Sequence, residues 1–161
     1  MPLELDPIGV IHTPFETLDG MPIQPAGARN VTGTIVLDSR YEEGLCDLDG
    51  FSHIILLYHL HQSRGFNLKV KPFLDKETRG LFSTRAPRRP NPIGLSVVRI
   101  LGIDGCQVAI RGIDVLNRTP LLDIKPYVPV FDEKKEVRVG WLEAHQQEAR
   151  VMKSDQRFIE K

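Results

Sequence analysis

Cysteine is scarce in this sequence, with only Cys46 and Cys106 among 161 residues. The two fit no C-x-x-C zinc or redox pattern and read as reduced core thiols of an intracellular protein. Net charge is missing as well: 21 Lys and Arg balance 21 Asp and Glu. No global field therefore announces a nucleic-acid partner, although a local arginine cluster can still reach a few phosphates. No apolar run approaches a membrane span, and the start Met1-Pro2-Leu3-Glu4-Leu5-Asp6 has neither the basic region nor the apolar core of a secretion signal. A cytoplasmic protein without a membrane partner is expected. G-x-G-x-x-G and Walker-type loops are absent, which disfavours Rossmann-type nucleotide binding. Aromatics make up only 7% of the chain and form no run, which argues against a cofactor-free RNA-binding barrel built on stacking.

What the chain does hold is proline, 12 of them, and the densest group lies in Ser83-Thr84-Arg85-Ala86-Pro87-Arg88-Arg89-Pro90-Asn91-Pro92-Ile93-Gly94-Leu95-Ser96. Three prolines hold this stretch extended and keep it out of a helix. Three arginines on it suit an anionic partner, while a solvated, positively charged connection is the plainer alternative. Around this loop the chain reads as short strands. Residues 8–12 and 31–37 are β-branched runs separated by a long Gly- and Pro-rich loop, and Ser39 can cap a short helix through Tyr41, Leu45 and Leu48. Residues 51–62 form an apolar run that predicts a central strand buried on both faces. Residues 67–73 alternate as an edge strand guarded by Lys69 and Lys71, and Asp104-Gly105 turns two strands into a hairpin. A helix is expected over about residues 141–158 from composition. The whole predicts one domain over residues 1–161: mainly β, a small β-barrel or strongly curved antiparallel or mixed sheet with a peripheral C-terminal helix.

Two further groups carry chemistry. His59-Leu60-His61 places two imidazoles on one strand face, but no carboxylate or cysteine at ligand spacing accompanies them, so no metal is expected. In the extended segment Leu121-Leu122-Asp123-Ile124-Lys125-Pro126-Tyr127, Asp123, Lys125 and Tyr127 share one face. That face is either a structural ion pair beside a hydroxyl or a functional surface.

Taken together, Asp49-Gly50-Phe51-Ser52-His53-Ile54, His61-Gln62, the arginine–proline loop and Thr119-Pro120-Leu121-Leu122-Asp123-Ile124-Lys125-Pro126-Tyr127 closely resemble the TsaA-like, or tRNA methyltransferase O, family over about residues 6–142. The resemblance implies a β-barrel that binds S-adenosylmethionine outside the Rossmann architecture. It also implies a homodimer with the cofactor near the subunit interface, and methylation of N6 of threonylcarbamoyladenosine beside the tRNA anticodon. Carried over by motif, the cofactor contacts would be Pro22, Ile23 and Gln24; His61 and Gln62; Arg85 and Leu95; and Arg118, Thr119, Pro120 and Leu121. Arg88 and Arg89 would meet RNA phosphate or the threonyl carboxylate. Asp123, Lys125 and Tyr127 would supply the hydrogen bonds and the proton acceptor that a carbonyl-bearing nitrogen requires. The chain departs from the family at Asn117-Arg118-Thr119-Pro120, where Asp-Gly-Thr-Pro is common, and Arg118 adds bulk and changes backbone preference. The family's longer bacterial members carry a C-terminal extension beyond these residues; if it grips tRNA, another RNA or acceptor is expected here. The rival readings are a cofactor-binding sensor without methyl transfer and a methyltransferase with a different acceptor.

Overall fold

The computed structural model describes residues 1–19, 21, 28–73 and 75–145. The β-branched run at the start forms β1 (Gly9–His12), and β2 (Thr32–Leu37) pairs with it in antiparallel fashion. β3 (His53–His59) follows, then the small separate ribbon of β4 (Lys69–Val70) and β5 (Arg79–Gly80). β6 (Ile93–Asp104) and β7 (Gln107–Arg111) form the hairpin about Asp104 and Gly105, and β8 (Thr119–Pro126) is the last strand. Six strands close into an antiparallel barrel in the order β1-β2-β7-β6-β3-β8, with β8 returning to β1. Closure leaves no exposed edge in the main sheet.

The period-two pattern explains the interior. Ile54, Leu56 and Tyr58 of β3 point inward with Ile11, Ile35, Val98, Val108, Ile110 and Leu121, forming a continuous core. Ile55 and Leu57, expected to be buried like their neighbours, are half-exposed on the outer wall, because a barrel buries only one face of each strand. β8 breaks the simple alternation: Leu121 pairs with Tyr58 and Asp123 with Leu57, so Leu122 is an extra residue in a bulge. Leu121 and Ile124 consequently both pack on the core, whereas strict alternation would place them on opposite faces.

One local expectation needs correction. The segment Ser39–Leu45 is a 3-10 helix capped by Asp38 rather than by Ser39, and the Asp38 carboxylate accepts from Arg40 N–H. The helix does not run on to Leu48, because Asp47 adopts the left-handed φ of 66° and starts a separate 3-10 turn, Leu48–Gly50. The start of the expected C-terminal helix is a 3-10 turn, Gly140–Ala144, and residues 146–161 lie outside the described residues. A short helix, Pro129–Asp132, precedes it. Among the described residues no helix is long and apolar enough to cross a membrane.

Gly94 sits opposite Tyr58 across β3 and β6, and a Cβ at that position would overlap the Tyr58 ring. Gly94→Ala is therefore expected to force the buried ring aside and to cost about 1–3 kcal/mol, read from the shift in denaturant midpoint at unchanged slope.

Candidate functional site

In an antiparallel barrel each end collects alternate connections, and here one end collects the chemically loaded ones. The ends of β1, β3 and β7 meet the starts of β2, β6 and β8 there: His12 pairs with Thr34, Ile11 with Thr119, Thr32 with Arg111 and His59 with Ile93. That end receives His61 and Gln62 after β3, the arginine–proline loop before β6 and Arg118 before β8. Leu60 N–H donates to Pro92 C=O at 2.8 Å, which joins the turn after β3 to the arginine–proline loop.

The segment after β7 is tightly pinned. Thr13 Oγ1 donates to Val115 C=O at 2.7 Å, Thr13 N–H donates to Asn117 Oδ1 at 3.1 Å, and Thr119 Oγ1 donates to Leu116 C=O at 2.7 Å. This leaves Arg118 with a left-handed φ of 63°, a backbone geometry that disfavours side chains bearing a Cβ. Its guanidinium is exposed and reaches Glu16 at 3.7 Å. Burial, followed by the charges of His59 and Arg118, holds the His61 imidazole below its usual range, which favours a neutral ring able both to donate and to accept.

The three arginines of the loop part company. Arg89 Nη1 donates to Thr84 C=O at 2.9 Å and Ala86 C=O at 3.0 Å, and its guanidinium lies 5.7 Å from the centre of the Phe82 ring. It staples its own loop. Arg88 buries its Nε with no hydrogen-bond partner among the described residues, a donor open to an incoming acceptor. Arg85 is exposed, and its charge bears on half-buried Asp114 and on buried Tyr58. Sequence reading missed those two and the Ser96 between them. Tyr58 OH and Ser96 Oγ are 2.8 Å apart, and Ser96 Oγ donates to Asp114 Oδ1 at 2.7 Å. An aspartate directly after an apolar strand was the available signal.

The other expected contacts are scattered. Thr119 and Leu121 face inward and are almost fully buried, and Leu121 C=O accepts from Ile8 N–H, so both serve the barrel wall. Pro120 is half-buried beside them, and Gln62 is exposed in the turn after β3. Leu95 is 48% exposed on the outer wall. Pro22, Ile23 and Gln24 lie outside the described residues.

Asp123 and Lys125 also lie on the outer wall, opposite Leu57 and Ile55, and form an ion pair of 2.8 Å. Tyr127 OH donates to Glu133 Oε1 at 3.3 Å, and its ring stands edge-on to His53, 6.4 Å between centres. Desolvation, then the Glu133 carboxylate, pushes the Tyr127 phenol above its usual range, so it stays a donor. At about 3.3 Å per residue, Lys125 stands roughly 20 Å along β8 from Thr119, whereas Asp123, opposite Leu57, lies nearer the loop-bearing end. Asp123 also lines a cleft of about 370 Å³ with Tyr41, Leu45, Asp47, Leu48 and Phe51. No cluster of three or more metal-ligating side chains occurs among the described residues.

A closed antiparallel barrel with a cationic, loop-built end defines a non-Rossmann ligand-binding domain. Its sequence matches the model of the tRNA-methyltransferase O N-terminal domain over residues 10–133. The chain belongs to that family. It is 48% identical to a probable S-adenosyl-L-methionine-binding protein of Pyrococcus abyssi, covering 95% of this chain and 83% of that protein. It is 33% identical to the human tRNA (adenine(37)-N6)-methyltransferase, covering 82% of this chain but 32% of the human one. Among solved structures, TrmO from Pseudomonas aeruginosa superposes with a TM-score of 0.75 at 38% identity, covering 87% of this chain and 62% of that one. The chain thus spans less than two thirds of that solved TrmO chain and about a third of the human enzyme.

The left-handed residue offers a direct test. Relieving about 1–2 kcal/mol of backbone strain, less the added unfolded-state entropy of glycine, makes Arg118→Gly more stable by roughly 0.5–1 kcal/mol. The lost contact with Glu16, between exposed charges, offsets little of this. Denaturant unfolding of the two proteins checks it.

Proposed function

We propose that this protein is an S-adenosylmethionine-dependent methyltransferase acting on N6 of an adenosine in tRNA, and that the adenosine is the threonylcarbamoyl form beside the anticodon. The observation that carries the reading is the gathering at one barrel end of Arg85, a buried Arg88 Nε without a partner among the described residues and a downshifted His61. The relatives named for tRNA methylation and for S-adenosylmethionine binding support it. Those groups suit the cofactor, which has a carboxylate for a guanidinium and an adenine edge for a neutral imidazole. Arg85 would hold the carboxylate and His61 the base. The bound cofactor supplies an activated methyl group and its own leaving group, so the protein has only to align the acceptor and manage one proton.

Arg88 then remains for the anionic part of the acceptor, a phosphate or the threonyl carboxylate, because Arg89 is spent on its own loop. On the outer wall Asp123 is the proton acceptor of the trio, while Lys125 and Tyr127 donate toward a carbonyl oxygen. Lys125 and Tyr127 lie along β8 away from the loop-bearing end of their own copy, and a second copy would bring them there. Ile93 and Leu95 are exposed apolar residues on β6, with half-exposed Ile55 and Leu57 beside them, and this stripe suits a homodimer seam. A sedimentation mass of twice the chain is expected; a monomeric mass at micromolar concentration refutes the shared site.

A second reading, a cofactor-binding module without transfer, is favoured by one observation: Asp123 and Lys125 already satisfy each other. Incubation with labelled S-adenosylmethionine and bulk tRNA, followed by nucleoside analysis, separates the two. Label in the N6-methylated threonylcarbamoyl nucleoside is expected, as is a loss of at least tenfold in transfer for Arg88→Ala with cofactor affinity retained. Tight cofactor binding with no label in any RNA selects the binding module.

A further inference from the structure

Charge is spread unevenly over a chain whose sum is zero. Residues 62–92 hold eight of its 21 Lys and Arg but only two of its 21 Asp and Glu, a surplus of six positive charges that the rest of the chain cancels. Both of those acids lie against one residue: Arg79 meets the Asp75 carboxylate at 2.6 Å and the Glu77 carboxylate at 3.3 Å. Arg64, Lys69 and Lys71 are exposed and form no ion pair among the described residues. Lysines on a ribbon guard its edge against pairing, but edge protection asks nothing of Arg64 or of the loop arginines.

Part of this stretch packs on a small core of its own, Val70, Leu81 and Ala86, apart from the barrel interior. Leu81 N–H donates to Leu68 C=O at 2.9 Å and Leu81 is almost fully buried, yet the next residue, Phe82, is 72% exposed. That ring is held in place. The Arg89 guanidinium, fixed by two carbonyls, lies 5.7 Å from its centre, and the adjacent Ser83 C=O accepts from Trp141 Nε1 at 2.9 Å. Lys69 pairs with Gly80, two residues before the ring. An aromatic face left in water beside cations without carboxylates is the combination that a nucleobase and its phosphates require.

We propose that the β4–β5 ribbon and the turn that follows it form the surface that grips single-stranded RNA beside the reacting base: Phe82 stacks one base, and Lys69 and Lys71 take phosphates. This deepens the proposed tRNA methylation and rests on it for the identity of the RNA. β5 runs through the Phe82 turn directly into the arginine–proline loop, so a strand laid along the ribbon leads to the loop-bearing end. An acidic protein segment matches the cations alone, whereas RNA matches both the cations and the ring.

Binding of bulk tRNA by the full chain, followed by fluorescence anisotropy from about 50 to about 200 mM salt, tests this. Phe82→Ala is expected to weaken binding about tenfold at every salt concentration, while Phe82→Tyr keeps a stacking face and binds as wild type. Lys69→Gln combined with Lys71→Gln weakens binding at low salt and flattens the slope of log affinity against log salt by about 1.5. Calorimetric affinity for S-adenosylmethionine stays at the wild-type value in each variant, which shows that each folds. Wild-type tRNA affinity in Phe82→Ala, or an unchanged slope in the double-lysine variant, overturns the inference, and label still reaching tRNA then leaves the methyltransferase reading standing. Displacement of tRNA by polyglutamate, with polyglutamate binding indifferent to Phe82→Ala, assigns the surface to an acidic protein and overturns it as well. A wild-type chain that binds S-adenosylmethionine but neither binds nor labels tRNA overturns both.

Discussion

The pairing of β8 with both β1 and β3 is the constraint on which the rest depends. It turns a curved sheet into a closed barrel, removes the last free edges and leaves only two ends where connections can gather. Because neighbouring strands run antiparallel, successive loops fall alternately at the two ends. Loops far apart in sequence, those after β3 and β7 and before β6 and β8, are thereby brought to one opening.

Closure also sets what each strand can offer. Inward positions are committed to the core, so Thr119 and Leu121 serve the wall even though they lie in a motif that resembles a binding segment. The bulge at Leu122 returns Ile124 to the interior after Leu121 and leaves Asp123 and Lys125 outside. The outer wall in turn carries apolar Ile93 and Leu95, which a free barrel wall does not require.

At the loop-bearing end electrostatics divides the arginines more sharply than position does. Arg89 spends two donors on carbonyls of its own loop, Arg88 buries a donor without an acceptor among the described residues, and the charge of Arg85 bears on Asp114 and Tyr58. A guanidinium already satisfied by backbone has little left for a ligand, whereas an unsatisfied one gains most from an incoming acceptor. The half-buried Asp114 carboxylate is tolerable because the Ser96 hydroxyl donates to it.

Much of this was legible in the residues alone. Period-two runs, the Asp104-Gly105 turn and the proline loop mark a small β-barrel, because alternation and turn chemistry are local properties of the chain. The four motifs mark the family for the same reason: each is a contiguous string. Asp38 displacing Ser39 as a cap, the bulge at Leu122 and the separate fates of Arg85, Arg88 and Arg89 were not legible, since each is settled by neighbours distant in sequence. The Tyr58–Ser96–Asp114 chain is the plainest case. Its members come from three different segments and meet only when β3 and β6 pair and the segment after β7 folds over their shared end. The sequence by itself determined the strands, the turns and the motifs; tertiary structure alone decided which charges are buried and which face one another, because burial and proximity arise only when the barrel closes.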